Sequence, residues 1–453
     1  MTAGTSYRFH GGRVLTCEDT KVISDGTVVT EGERIAWVGA SQELPPRFKG
    51  PEFEPIDASG KTVMPGLVDG HMHISFGQAA TEEELSIYTP PEYRAIRAAV
   101  DAEKCLLAGV TSSCDPGGPY RVAVAVRDAI AGGLIQGPRM AAAGRQITSQ
   151  QGIGDGLPSW IGVPESSFGA LVRSNEELIQ EIRNEVKDGV DLIKLAGSGP
   201  LSDEFAAFRL EEIELAVDEA HRLGRPVTIH ARSRQSVEFA AKAGVDWIMH
   251  ASFMDQATME MVIEKQIPIL PALTLLVNTL EANPDLPTSA ADHIKLEIDA
   301  AVHIVSKAYA AGAILMCGSE TGFAMTPYGE WHARELEIFV KMLGVPDHEA
   351  LLCMTRNSAR TLPRHRDSIG TLTAGKYADV LLVDGNPDQD VAVLQDKTRI
   401  EMVMQAGRII NAWRPPDAER RTHSFERAHI YTPTVYRRGT RESAQSAGAS
   451  PPG

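Results

Sequence analysis

The run Val63-Met64-Pro65-Gly66-Leu67-Val68-Asp69-Gly70-His71-Met72-His73 decides how this chain is read. A short apolar stretch leads into two histidines spaced i, i+2, and residues two apart on a strand project to one face. At the end of such a strand His71 and His73 present two imidazoles in one direction, a geometry suited to gripping a metal ion. Two alternating histidines also occur on ordinary surfaces and in cores, so the pair takes its meaning from what surrounds it.

Downstream, apolar segments of strand length recur at residues 63–68, 110–114, 139–143, 190–196, 226–230, 247–250, 267–270 and 313–318. Helical segments stand between them. Residues 210–220 place apolar side chains at i, i+3, i+5 and i+7, near the stripe of an amphipathic helix. Eight strands alternating with helices predict an α/β fold, a (β/α)8 TIM barrel. A doubly wound sheet is the alternative, but no G-x-G-x-x-G opens a helix after the first strand. The outer segments differ. Residues 13–16, 26–30 and 34–39 read as short strands, and so do 370–372, 375–384 and 400–410. About fifty residues of strand are marginal alone. The two chain ends are therefore expected to build one small composite β-sandwich, 1–62 with 365–415, and the barrel, 63–364, is inserted between them. From 416 to 453 the composition turns to Pro, Arg, Ser and Gly, which predicts an extended tail, with Tyr431, Val435 and Tyr436 able to dock on a neighbouring surface.

The 453 residues are 43% hydrophobic and 23% charged, with a net charge of −16. That composition supports a large core and disfavours binding to nucleic acid or an anionic membrane. Five scattered cysteines without a C-x-x-C pair form neither a disulfide framework nor a thiolate zinc site. With no basic-then-apolar leader and no run of about 18 apolar residues, a cytoplasmic location is expected.

Active sites of α/β barrels lie at the C-terminal ends of the strands. His71 and His73 end the first strand, His230 the fifth and His250 the sixth, and together they could ligate a divalent metal through imidazole nitrogen. Lys194 sits in the apolar strand Asp191-Leu192-Ile193-Lys194-Leu195-Ala196, where an ammonium is costly unless paired, neutralised or carboxylated by CO₂. Glu320 follows the eighth strand and could ligate metal and take a proton from water. His332, in the loop beyond it, is a candidate substrate contact.

The chain resembles the metal-dependent amidohydrolase superfamily, near its imidazolonepropionase-like, Xaa-Pro and Xaa-Arg dipeptidase and phenylurea hydrolase-like members. Carrying the likeness are Pro65-Gly66-Leu67-Val68-Asp69-Gly70-His71-Met72-His73, Ala108-Gly109-Val110-Thr111, Gly137-Pro138-Arg139, Ile193-Lys194 and His230-Ala231. It continues through Gly244-Val245-Asp246-Trp247-Ile248-Met249-His250, Thr355-Arg356-Asn357-Ser358-Ala359 and Gly375-Lys376-Tyr377-Ala378-Asp379-Val380. The resemblance implies a binuclear centre. His71 and His73 would hold one metal, His230 and His250 the other, and N6-carboxylated Lys194 would bridge them. Glu320 would ligate and shuttle the proton while metal-bound hydroxide attacks a carbonyl. One or two Zn²⁺ ions are expected, with Co²⁺ or Mn²⁺ as alternatives, in a homo-oligomer acting on a small molecule.

Two departures matter. Relatives carry Asp at the strand-8 position, and Glu320 reaches about 1.5 Å further, one C–C bond. Residues 148–156 place Ile153 where the dipeptidases carry a loop histidine, which makes the pocket more apolar. With Trp160 and Phe168 nearby in sequence, this favours an aryl or alkyl amide, urea or carbamate. A dipeptidase or cyclic amidase would need a charged anchor, with Arg145, Arg232 and Arg234 as candidates. A catalytically silent metal-binding scaffold is the reading from another class.

Overall fold

The computed structural model describes residues 5–199 and 205–411. The expected tail, with Tyr431, Val435 and Tyr436, lies outside the described residues.

The barrel is built from parallel strands. Leu67–Asp69, Val110–Asp115 and Arg139–Ala142 pair in that order. A second parallel set runs Gly169–Leu171, Gln146–Thr148, Ile193–Ala196, Val227–Ala231, Trp247–His250 and Ile269–Leu270. The third strand is thus broken: its first half pairs with the second strand, and Gln146–Thr148 pairs with the fourth. The eighth position is a single bridge, Leu315 to Ile269, supported by the Ile269 N–H donating to the Ile314 carbonyl at 2.9 Å. Closure follows where the Gly70 N–H donates to Cys317 at 3.0 Å and the His73 N–H to Thr321 at 2.7 Å. Gly318 makes this approach possible, since a Cβ there would stand 2.4 Å from the His71 Cβ.

Helices pack outside the strands on the faces their apolar residues mark. In Leu210–Arg222, Ile213, Ala216, Val217 and Ala220 are buried, and burial of such a stripe is what stabilises a helix too short to persist alone. Ser174 and Ser233 cap their helices, accepting from the N–H of Glu177 at 3.3 Å and of Ser236 at 3.1 Å.

The two chain ends share one sheet. Its order runs from Arg408–Ile409 through Ile400–Gln405, Val380–Val383, Thr62–Pro65, Ser6–Leu15 and Val22–Glu31 to Arg34–Ala40, with Phe53–Asp57 also on Ser6–Leu15. Phe9, Val14, Val28, Val63, Leu382 and Met404 fill its own small core.

Two strand expectations are corrected. Residues 63–68 are not one strand: Thr62–Pro65 pairs antiparallel with Val380–Val383, and Leu67–Asp69 opens the barrel. An unbroken apolar run cannot show that its hydrogen-bonding partners change at Gly66. Residues 370–372 form no ladder, and of 375–384 only Val380–Val383 is strand.

Candidate metal centre

His71 and His73 are 1% and 2% exposed. Their Nε2 atoms approach to 3.1 Å. His73 Nδ1 faces the Gly117 carbonyl at 2.7 Å, and donating there leaves Nε2 as the basic nitrogen. Its ring stacks on Phe76, centroids 4.1 Å apart and planes 5° from parallel. His71 Nδ1 is buried with no hydrogen-bond partner.

Glu320 is buried and its backbone is left-handed, φ 53°. Its N–H donates to the His71 carbonyl at 2.7 Å, and its own carbonyl accepts from Thr326 Oγ1 at 2.8 Å. One nitrogen each from His71 and His73 and one Glu320 oxygen lie within 4.8 Å of one another. Glu320 Oε2 is buried without a hydrogen bond. Burial pushes the carboxyl up to about 7, against the pull of Arg232 and Lys194.

His230 and His250 end adjacent strands, with ring centroids 4.5 Å apart; His250 is 5.5 Å from His71. His250, left-handed at φ 73°, sets Nδ1 3.3 Å from the Pro271 carbonyl and leaves a buried Nε2 without a partner. His230 Nε2 faces the Gly199 carbonyl at 3.1 Å, and donation there leaves Nδ1 basic. Lys194 is 1% exposed and its Nζ meets the Met249 thioether, a weak acceptor. Burial pushes this ammonium down to about 7, with Glu320 opposing.

These residues fit a divalent cation. Burial drives all four histidines toward the neutral, ligating imidazole, His73 to about 3 and the others well below the usual range. Three buried polar atoms, His71 Nδ1, His250 Nε2 and Glu320 Oε2, lack the hydrogen bonds that buried polar groups normally make. Imidazole and carboxylate are donors for zinc and its neighbours.

The candidate substrate contacts are placed differently from one another. Ile153 packs against an apolar wall of Phe76, Phe168, Leu275, Phe323 and Met325. Phe168 and Phe323 lie 5.3 and 5.1 Å from Phe76. Trp160 stands away from it, 85% exposed. Arg232 pairs with Glu297 in the helix Thr288–Ala310 and approaches Glu320 Oε2 at 4.0 Å. Arg145 spends its guanidinium on the carbonyls of Pro164, Ser167 and Gly169. His332 does not line the mouth. It is 2% exposed, Nδ1 is 2.7 Å from Asp69 Oδ2, and Nε2 accepts from the Gly329 N–H at 3.0 Å. Both ring nitrogens are thereby used inside the protein.

Sequence reading missed Asp69, Phe76, Glu297 and Asp115, whose carboxylate accepts from the Ile74 and Gly117 N–H groups on either side of the His73 contact at 2.9 Å each. Asp69 stood in the opening motif, two residues before His71, where the strand alternation already put it. Phe76 and Glu297 carry no local signal. A cleft of about 910 Å³, bordered by Arg127, Arg139, Asp191, Arg364 and Tyr377, opens where the third and fourth strands begin, away from these ligands.

The model of the amidohydrolase family matches residues 62–410. Ochratoxinase of Aspergillus niger is 26% identical over 417 residues, covering 86% of this chain and 84% of the relative. The crystal structure of that A. niger ochratoxinase superposes with a TM-score of 0.81 at 24% identity, over 90% of this chain and 96% of the other. A Xaa-Pro dipeptidase structure with bound methionine in its active site gives 0.79 at 27% identity, over 90% and 100%.

Proposed function

The chain belongs to the amidohydrolase family and is a hydrolase of amide-type C–N bonds, and from that premise we propose that it cleaves a small, uncharged aryl or alkyl amide, urea or carbamate. The observation that carries this reading is the aromatic wall at the metal ligands, Phe76 stacked on His73 with Phe168, Phe323 and Ile153 behind it. An apolar acyl or amine half can lie there while its carbonyl faces the histidines.

His71, His73 and Glu320 would hold one divalent cation, zinc or else cobalt or manganese. His230 and His250 would hold a second, and Lys194, if its amine were carboxylated by CO₂ with loss of a proton, would supply a further anionic oxygen ligand. When bound, the cation would supply Lewis acidity, lowering the pKa of a bound water toward about 7. Glu320 accepts the proton of the attacking water and delivers it to the leaving nitrogen. Arg232, anchored on Glu297, sets a positive charge beside that carboxylate and favours its ionised form. The Gly117 and Pro271 carbonyls orient His73 and His250 through their second ring nitrogens.

A second reading, a dipeptidase, is supported by the 27% identity to the Xaa-Pro dipeptidase. It needs a cation for the substrate carboxylate; of the three candidates Arg145 and Arg232 are already engaged, which leaves Arg234, exposed at the start of the helix Arg234–Ala243.

Steady-state kinetics of the metal-loaded protein decide between them. N-aryl amides are expected to give the higher kcat/KM; faster turnover of Xaa-Pro or Xaa-Arg dipeptides overturns the proposal. Glu320→Gln should lower kcat by roughly 10²-fold or more while the histidines still bind metal. An unchanged kcat removes Glu320 from the proton path.

A further inference from the structure

Residues 328–335, beyond the eighth strand, send three buried side chains toward the supports of the candidate metal ligands. The Tyr328 hydroxyl donates to the His73 carbonyl at 2.6 Å and accepts from the Gly77 N–H at 2.9 Å. His332 Nδ1 meets the Asp69 carboxylate at 2.7 Å, and that carboxylate accepts from the His71 N–H at 3.1 Å. Glu335, in the first turn of the helix Arg334–Lys341, is fully buried and reaches the turn after the seventh strand. Its Oε1 accepts from the Leu273 N–H at 2.9 Å. Its Oε2 accepts from the Thr274 N–H at 2.9 Å and from Thr274 Oγ1 at 2.6 Å.

Leu273 is the N-cap of the helix Thr274–Ala282 and has no polar side chain to satisfy the first N–H groups. A carboxylate brought from elsewhere supplies both the acceptor and the negative charge that a helix N-terminus favours. The two residues before Leu273 give that contact a second consequence. The Pro271 carbonyl meets His250 Nδ1 at 3.3 Å, and Ala272 is left-handed at φ 51°. A non-glycine residue persists in that region only where the surrounding contacts over-determine it. Strand pairing through Ile269 and Leu270 holds the chain on one side of Ala272, and Glu335 holds it on the other. Rotation about the Ala272 N–Cα bond turns the peptide plane that carries the Pro271 carbonyl. Releasing Glu335 therefore frees the acceptor that fixes the His250 ring.

We propose that Glu335 is a positioning residue for the second cation, holding His250 through the Leu273–Thr274 turn and the Pro271 carbonyl so that Nε2 stays bare for the metal. This rests on the two-cation reading above. Residues 328–335 then support three of the four histidines, with Tyr328 at His73, His332 at His71 through Asp69, and Glu335 at His250.

Glu335→Gln keeps the size of the side chain and puts an amide NH₂ where one carboxylate oxygen accepted. Titration of the metal-free full-length protein with Co²⁺, followed by visible absorption and metal analysis, separates two binding steps, which His71→Ala and His250→Ala assign. In Glu335→Gln the His250-dependent step should weaken about tenfold, the scale of an outer partner of a metal ligand, with the His71-dependent step unchanged. Thr274→Val removes only the hydroxyl donor and should move the same step in the same direction; it carries the test if Glu335→Gln does not fold. ¹⁵N-histidine NMR of the metal-free protein reads the ring without a cation. Wild-type His250 should show one tautomer, protonated at Nδ1, and Glu335→Gln a mixture. Equal weakening of both steps overturns the proposal. So does an unchanged His250 ring and step in a variant whose Tm has fallen, which leaves Glu335 a helix cap alone. If wild type shows no His250-dependent step, the two-cation reading fails by itself, and the NMR tautomer still decides whether Glu335 sets the ring.

Discussion

At Asp69 one carboxylate joins the two sides of the candidate metal site. Oδ1 accepts from the His71 and Ser319 N–H groups at 3.1 and 3.0 Å, and Oδ2 accepts from Ser319 Oγ at 2.5 Å and His332 Nδ1 at 2.7 Å. It thereby fixes His71 relative to the residue before Glu320, and His332 fixes the carboxylate. Such outer partners typically tune metal affinity by about 10- to 100-fold. His332→Ala is expected to weaken metal binding within that range, measured by competition with a chromophoric chelator, while circular dichroism stays native. Undiminished affinity would show that the Ser319 contacts suffice. That His71 and His73 follow the first barrel strand and that His230 and His250 close later ones was legible from spacing and strand ends. The direction of the His332 ring was not, since a loop position does not say which way a side chain turns.

The first helix, Pro91–Leu107, organises the loop before it. Arg94 is fully buried, and its guanidinium donates to the carbonyls of Thr89, Ser75, Glu84 and Leu85 at 3.0, 3.1, 3.1 and 2.5 Å. Burial pushes its pKa down to about 10, still charged at neutral pH. Those carbonyls belong to the segment 75–89, which carries Phe76 against His73. Removing the fork strands several buried carbonyls, so Arg94→Ala should destabilise by roughly 3 kcal/mol. Denaturant unfolding measures that loss, and hydrogen exchange should accelerate across residues 75–89. If exchange there is unchanged, the loop is held by Tyr328, whose hydroxyl donates to the His73 carbonyl at 2.6 Å. Within the helix Arg94 resembles any surface cation in sequence. Its partners come from a preceding loop folded back over it, so local pattern could not reveal them.

Across the whole molecule the composite sheet is locked to the barrel. Arg139, at the start of the third strand, pairs with Asp379 at 2.5 Å, and Asp379 also accepts from the Ala406 N–H at 2.8 Å. Gln405 Nε2 donates to the Thr111 and Gly137 carbonyls at 2.8 and 3.1 Å. Asp379→Ala leaves a largely buried arginine without its carboxylate, which costs about 3–5 kcal/mol when the pair is buried. A lower Tm is expected, with metal content per folded molecule preserved because the candidate ligands lie at the other end of the strands. A wild-type Tm would mean that Gln405 and the sheet ladders carry the junction.

The sequence by itself determined the alternation of strands and helices, the joining of both chain ends in one sheet, and the histidines at strand ends. Each follows from periodicity and position along one strand, which are local properties. Only the tertiary structure decided where Val63–Val68 changes partners, that Glu320 reaches His71 and His73, and that His332 serves Asp69 instead of the mouth. It also separated Phe168, in the wall, from the exposed Trp160. These depend on contacts between residues as much as 263 positions apart, and side-chain direction across such distances is set by packing, not by neighbours in the chain.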